Sequence, residues 1–156
     1  RYSEHVHAMD HSITTVGPAV VGFVKHEAFR AMLANSPNLT DIFWRETLVD
    51  SAVFREWVVS LGKRSGLARI AHMLCELDSR HDVVGLVKGD SFQFPAWQTD
   101  IADATGMTPV HANGMIQQLR ANELIEWDGA AITIREPARL KEVGEFDESY
   151  LHFRRG

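Results

Sequence analysis

The sequence predicts a mainly α-helical fold with a small amount of β-structure, and three observations support this class. Apolar residues recur at helical spacing over residues 40–60 and again over 64–77. A pair of shorter helices joined by a tight turn is predicted within 98–122, and two β-rich pieces follow it on either side of Asp128-Gly129. With 156 residues, of which 45% are hydrophobic, the chain can bury a core in one or two small domains.

The first 35 residues combine β-rich pieces with a short helix. Residues 12–16 and 19–24 have strand composition and are separated by the turn pair Gly17-Pro18, while residues 26–33 have the pattern of a helix. One or two strands do not form a stable sheet alone, so these strands need partners from another chain or from sequence outside this one. The chain also begins without methionine, and both observations indicate a fragment of a longer protein.

The longest predicted helix covers residues 40–60, with Asn38 or Thr40 as its cap and no break before Gly62. It would span roughly 30 Å at 1.5 Å per residue, and its six charged side chains exclude a membrane span. Because its apolar groups lie on more than one face, the helix needs two neighbours, and the pattern predicts a homodimer through it. The predicted dimer stripe consists of Ile42, Val49, Val53 and Trp57, widened by Phe43, Leu48 and Phe54.

A helix-turn-helix is predicted after a helix over 64–77 and a loop over 79–91. Its helices cover 98–105 and 109–122, and a hairpin with strands 125–127 and 132–134 follows. Ala102 is small where the helices cross, and Gly106 permits a positive φ in the turn. Thr108 is an N-cap residue followed by Pro109 at the first helical position. The predicted inward residues are Ile101, Met107, Ala112, Met115, Ile116 and Leu119.

The remaining side chains of the second helix are candidates for DNA contact. Pro109, Val110, Asn113 and Gln117 face outward, where a recognition helix meets base edges. Thr108 and His111 lie near its N-terminal end, and Lys63, Arg64 and Arg120 are the cations expected to meet phosphates. The net charge of −5 argues against a protein that coats nucleic acid indiscriminately, and residues 61–136 hold ten acidic against seven basic residues.

In combination, these motifs resemble the Crp/Fnr family of bacterial transcription regulators. The matching residues include Arg69-Ile70-Ala71-His72-Met73-Leu74-Cys75-Glu76-Leu77, Phe94-Pro95, Gln98-Thr99-Asp100-Ile101-Ala102, Gly106-Met107-Thr108-Pro109-Val110-His111 and Gly144-Glu145-Phe146-Asp147. The resemblance covers nearly the whole chain. It implies that residues 1–35 are the end of an effector-sensing β-roll of the cyclic-nucleotide-binding type, residues 36–61 a dimerisation helix and residues 62–156 a winged-helix DNA-binding domain.

The resemblance also implies partners and a location. It predicts a cytoplasmic regulator that binds double-stranded DNA as a homodimer, with RNA polymerase as a further possible partner, no membrane and no bound cofactor. The family senses cyclic nucleotides, oxygen through iron–sulfur clusters, and haem ligands, so the effector stays open. One position departs from the family pattern: Gly114 stands where the family usually places an arginine that contacts the major groove.

Other functions are weaker on the sequence. His5, His7 and His11 are a possible metal set, but no carboxylate or cysteine completes it, and no metal site is predicted. Cys75 lies in an apolar stretch and is expected to be a buried core residue. No catalytic motif is present, so an enzyme is not expected. The alternative kept open is a ligand-sensing or protein-interaction module whose winged helix no longer binds DNA specifically.

Overall fold

The computed structural model describes residues 12–153 of the chain. Its helices are α1 (His26–Ala34), α2 (Pro37–Lys63), α3 (Gly66–Val83), α4 (Gln98–Thr105), α5 (Pro109–Ala121) and α6 (Pro137–Val143). Its strands are β1 (Ser91–Gln93), β2 (Ile125–Asp128) and β3 (Ala131–Ile134), and a short 3₁₀ helix covers Glu148–Leu151. The chain divides into two compact units, Arg1–Ser51 and Ala52–Gly156.

In the first unit, the strands expected over residues 12–16 and 19–24 are absent from the described residues. The β-rich side chains there are exposed, including Val20 and Phe23. The prediction was wrong because a strand requires a neighbour for its ladder of hydrogen bonds, and the described part of the unit pairs none with these residues. Helix α1 is confirmed, and the rings of Phe29 and Phe43 meet edge to face at 4.9 Å.

Helix α2 is longer than the sequence predicts. It begins at Pro37 and continues through Gly62 to Lys63, a length of 27 residues, or about 40 Å at 1.5 Å per residue. Proline suits the first helical position because its missing N–H has no helical partner there. The hydroxyl of Thr40, one of the expected caps, instead donates to the carbonyl of Leu33 at 3.2 Å from inside the first turn.

The second unit is built around α3. Ser65 caps this helix by accepting a hydrogen bond from the backbone N–H of Ala68 at 3.2 Å, and the helix continues to Val83, into the segment expected to be a loop. The predicted hairpin is confirmed as β2 and β3, and β1 adds to it in the antiparallel order β1-β3-β2. Strand β1 was not predicted, because three residues are too few to show the two-residue alternation of a strand.

The core of the second unit lies where α3, α4 and α5 meet the sheet and α6. Its most fully buried large side chains are Phe92, Ile70, Leu74, Ile101, Leu119, Ile125, Ile132 and Leu140. Helix α6, which the sequence analysis did not include, packs against α3. The contact is close at Gly144, where a Cβ would lie 2.7 Å from the backbone nitrogen of His72. Glycine is therefore required there for α6 to approach α3.

Candidate nucleic-acid interface

The turn between α4 and α5 has the local geometry predicted from its sequence. Gly106 ends α4 in the left-handed region at φ 63°, which glycine adopts without steric cost. The side chain of Thr108 accepts a hydrogen bond from the backbone N–H of His111 at 3.3 Å, and Pro109 is the first residue of α5. The helix-turn-helix is confirmed, and its second helix starts at a defined position and angle.

Arg69 ties this turn to the rest of the second unit. Its Nη1 donates to the carbonyl oxygen of Thr105 at 3.0 Å, and its Nε donates to the carbonyl oxygen of Arg64 at 3.1 Å. A helix leaves its last carbonyl groups without helical partners, and Arg69 supplies one for α4. The sequence gives no sign of this role of Arg69, because the carbonyl that it binds lies 36 positions away.

Helix α5 separates a buried face from an exposed one, as predicted. Ala112, Ile116 and Leu119 are buried in the core, and Met107 and Met115 pack against it. On the opposite side lie Val110, Asn113, Gly114 and Gln117, which we call the recognition face. Val110 is 84% exposed, and a Cβ added to Gly114 would meet no heavy atom within 4 Å.

Two amides of the recognition face have defined neighbours. The side-chain nitrogen of Gln98 donates to Oδ1 of Asn113 at 3.4 Å, and Nη1 of Arg120 donates to Oε1 of Gln117 at 3.5 Å. These residues line a groove of about 270 Å³ between the start of α4, helix α5 and the hairpin. Trp97, at the start of α4, is 79% exposed beside this groove. Neither Gln98 nor Trp97 belongs to an apolar period, so the sequence gives no sign that they lie beside the recognition face.

The predicted phosphate-binding residues fall into two groups. Thr108, His111, Lys63 and Arg120 are exposed. Arg64 is only 8% exposed: its Nη2 donates to Oε1 of Glu56 at 2.6 Å and to the carbonyl of Glu145 at 3.1 Å. The expectation that Arg64 contacts phosphate was therefore wrong, since a buried guanidinium bound to a carboxylate cannot reach the DNA backbone. The carboxylate that holds it lies eight residues earlier, on α2.

The ring of His111 is turned toward the start of α3. A Cβ added to Gly66 would lie 2.7 Å from Nε2 of His111 and 3.1 Å from the sulfur of Met107. This contact places the imidazole against the backbone of α3, to one side of the recognition face. Glycine at position 66 leaves the room that the ring occupies.

A buried polar network joins the end of α2 to α3 and the C-terminal segment. The hydroxyl of Tyr150 donates to Oε2 of Glu76 at 2.6 Å and lies 3.0 Å from Nε2 of His72. The indole N–H of Trp57 donates to the same carboxylate oxygen at 3.0 Å, and Nδ1 of His72 lies 3.0 Å from the carbonyl oxygen of Gly144. Burial and the nearby positive charge of Arg64 lower the pKa of His72, and burial raises the pKa of Tyr150.

This network corrects the predicted dimer stripe. Trp57 and Val53 pack against the core of their own unit, and the indole of Trp57 is bound to Glu76. The apolar side chains that α2 exposes most in the second unit lie beside this pair: Phe54 is 71% exposed and Val58 70%, and Val59 and Leu61 are each 45% exposed. In the first unit, Ile42 and Leu48 are exposed and Val49 is half-buried.

Cys75 is buried, which agrees with the expected core role, and burial raises the pKa of its thiol to about 12. His5, His7 and His11 lie outside the described residues. Among residues 12–153, no three histidine, cysteine or acidic side chains are grouped as metal ligands. Across the same residues, no helix combines the length and apolar character needed to cross a bilayer.

The α4–turn–α5 pair with an antiparallel hairpin beside it defines a winged helix-turn-helix domain. Residues 68–143 match the Crp-like helix-turn-helix domain family. The sequence is also similar to the transcriptional activator protein FnrL of Cereibacter sphaeroides, at 21% identity over 146 residues, covering 90% of this chain and 59% of that protein. Residues 68–143 therefore form a Crp-like helix-turn-helix domain, and the chain as a whole is similar to a Crp/Fnr-type transcription regulator.

Two solved structures share the fold. FixK2 from Bradyrhizobium japonicum superposes with a TM-score of 0.69 at 21% identity, over 77% of this chain and 59% of that one. CprK in its complex with OCPA superposes with a TM-score of 0.58 at 17% identity, over 75% of this chain and 53% of that one. This chain thus spans less than two thirds of the length of the relatives it matches.

Proposed function

We propose that the protein is a sequence-specific DNA-binding transcription regulator that inserts α5 into the major groove. The observation that carries the proposal is the recognition face: Val110 and Gln117 are exposed and Asn113 is half-buried, on a helix whose start is held by Gly106 and Thr108. Amide side chains pair with base edges, and an aliphatic side chain can contact a thymine methyl group. FnrL, a transcriptional activator by name, supports the same function.

Phosphate contacts in this proposal come from around the start and the end of α5. Thr108, His111, Lys63 and Arg120 are exposed, and the N-terminus of α5 adds its own backbone N–H groups. Few cations are available, so DNA binding should depend only moderately on salt. Each phosphate that a lysine or arginine neutralises contributes a slope of about −0.9 in log K against log salt.

The homodimer is proposed to form through α2, on a face that keeps Phe54 from the predicted stripe but uses Val58 and Leu61 in place of Val53 and Trp57. Phe54, Val58 and Leu61 are spaced by four and three residues, which places them on one face of the helix. Neighbouring apolar residues exposed on one helix face are typical of a partner interface. A dimer would present two copies of α5 to the half-sites of a palindrome.

The similarity to Crp/Fnr-type regulators suggests the wider setting. We infer that the regulator works in the bacterial cytoplasm, where RNA polymerase is its further partner, and that an effector sensed outside the winged helix controls it.

The test is fluorescence anisotropy with the 156-residue protein and a labelled pool of duplexes carrying a random central segment. Selected duplexes should bind more tightly than the unselected pool, and the double substitution Asn113→Ala with Gln117→Ala should remove the preference. Gln118→Ala, on the same helix but outside the recognition face, is the matched control. Equal binding to selected and unselected DNA would instead favour a protein-interaction module.

A further inference from the structure

We propose that the recognition face reads an A·T-rich half-site, with Asn113 and Gln117 on adenine, Val110 on a thymine methyl group, and no direct guanine contact from this face. This inference rests on the proposed DNA-binding function and names the kind of sequence that the function requires. It follows from the donors and acceptors that α5 exposes and from those that the structure turns elsewhere.

The hydrogen-bonding groups of the recognition face match adenine. Adenine presents one acceptor and one donor in the major groove, whereas guanine presents two acceptors. A side-chain amide has a donating NH₂ group and an accepting oxygen, so it forms two bonds with adenine. Asn113 and Gln117 are the two amides on this face, and Val110 and Gly114 offer no polar side-chain group.

The basic side chains near the recognition face are engaged with other groups. Arg64 is buried against Glu56. Arg120 lies in the last turn of α5, beyond the four residues of the recognition face, and its Nη1 donates to Oε1 of Gln117 at 3.5 Å. The ring of His111 is turned onto Gly66. Cytosine is not favoured either, because it offers a donor that calls for a carboxylate, and none of the four residues of the recognition face is acidic.

The neighbours of the two amides leave their adenine-binding groups available. Gln98 donates to the oxygen of Asn113, and an amide oxygen has a second lone pair that can accept from adenine. Arg120 likewise donates only to the side-chain oxygen of Gln117, so the NH₂ group of Gln117 stays available. Gln98 and Arg120 are therefore positioning residues that hold the amide planes.

The length of the recognition face sets the length of the sequence that it reads. Val110 and Gln117 are seven residues apart on α5, which corresponds to about 10 Å at 1.5 Å per residue. Base pairs are spaced by 3.4 Å, so this distance covers about three base-pair steps. Gly114 lies between them with open space in place of a side chain, which lets the helix backbone approach the base edges closely.

The first experiment selects duplexes from a random pool with the 156-residue protein and sequences those that bind. We expect each half-site to contain a run of about three A·T pairs at the positions that α5 contacts. Replacing one of these pairs with G·C should weaken binding roughly 5- to 150-fold, the range for loss of a bidentate base contact. G·C pairs enriched at the positions protected by Asn113 and Gln117 would overturn the inference while leaving DNA binding intact.

The second experiment separates direct reading of bases from a preference for the shape of A·T-rich DNA. Uracil in place of thymine removes only the methyl group, and 7-deaza-adenine removes only the N7 acceptor. Wild-type protein should lose about fourfold in affinity on the uracil duplex and about 2- to 13-fold on the deaza duplex.

The variants assign these losses to residues. Val110→Ala should become insensitive to uracil, and Asn113→Ala or Gln117→Ala insensitive to 7-deaza-adenine at one position each. Gln118→Ala should retain both sensitivities. If A·T-rich duplexes are selected but neither base analogue changes the affinity, the preference arises from DNA shape and the inference fails. If no duplex is enriched, the proposed function fails with it.

Discussion

Substitution of Gly114 tests the orientation of α5 most directly. A Cβ at this position meets nothing within 4 Å, so Gly114→Ala and Gly114→Arg both fit without moving a neighbour. Glycine in a helix interior is about 1 kcal/mol less favourable than alanine, and arginine is close to alanine. Both variants should therefore stabilise the second unit by nearly 1 kcal/mol, which is roughly 4 °C in melting temperature for a domain of about 100 residues.

DNA binding should separate the two variants. The guanidinium of Gly114→Arg would project from the recognition face between Val110 and Gln117, where it could bind guanine through two hydrogen bonds. We expect it to tighten binding to a palindrome with one guanine in each half-site by about 1–3 kcal/mol per half-site. Gly114→Ala should leave the affinity for that palindrome close to that of the wild type.

The assays are calorimetric melting and fluorescence anisotropy on duplexes with and without the guanine. Gly62→Ala is the matched control, because Gly62 lies in α2 and a Cβ there also meets nothing within 4 Å. It should raise the melting temperature without changing DNA affinity. If the arginine and alanine variants bind every duplex equally, residue 114 does not face the bases, and the assigned orientation of α5 is refuted.

Three further predictions follow from α2 and the buried network. The double variant Phe54→Glu with Val58→Glu should give monomers in sedimentation equilibrium, and a double variant that stays dimeric would exclude the face formed by Phe54, Val58 and Leu61. Val53→Asp should instead lower the melting temperature, because Val53 packs on the core. Arg64→Ala should cost about 1.5–3 kcal/mol in urea unfolding, because the charged hydrogen bond to Glu56 is lost. Lys63→Ala should leave stability unchanged and reduce the salt slope of DNA binding by about 1; equal stability of the two variants would contradict the burial of Arg64. Because burial lowers the pKa of His72 below 6.5, the unfolded state takes up a proton first as the pH falls, so stability should be full above about pH 6.5 and decline below it. His72→Gln should flatten that decline in urea midpoints measured at pH 7.5 and 5.5, and the exposed His111→Gln should not.

The helix-turn-helix could be predicted from the sequence because its signals are local. The left-handed turn needs glycine at position 106, and Thr108-Pro109 starts a helix within two residues. The buried and exposed faces of α5 follow from its 3.6-residue period, and Asp128-Gly129 specifies a hairpin turn. Each of these features depends on residues within a few positions of one another, so distant parts of the chain do not alter them.

The orientation of α2 and the availability of the cations were decided by tertiary structure. Val53-Phe54 and Trp57-Val58 place apolar side chains on two neighbouring faces of the helix, so periodicity alone cannot say which face meets the protein's own core. The choice depends on Glu76, 19 residues after Trp57, which accepts the indole N–H. Arg64 is withdrawn from the surface by Glu56 on α2 and by a carbonyl 81 residues away. A side chain that bonds to such distant groups gives no local sign of its partner, because the partner becomes its neighbour only when the chain has folded.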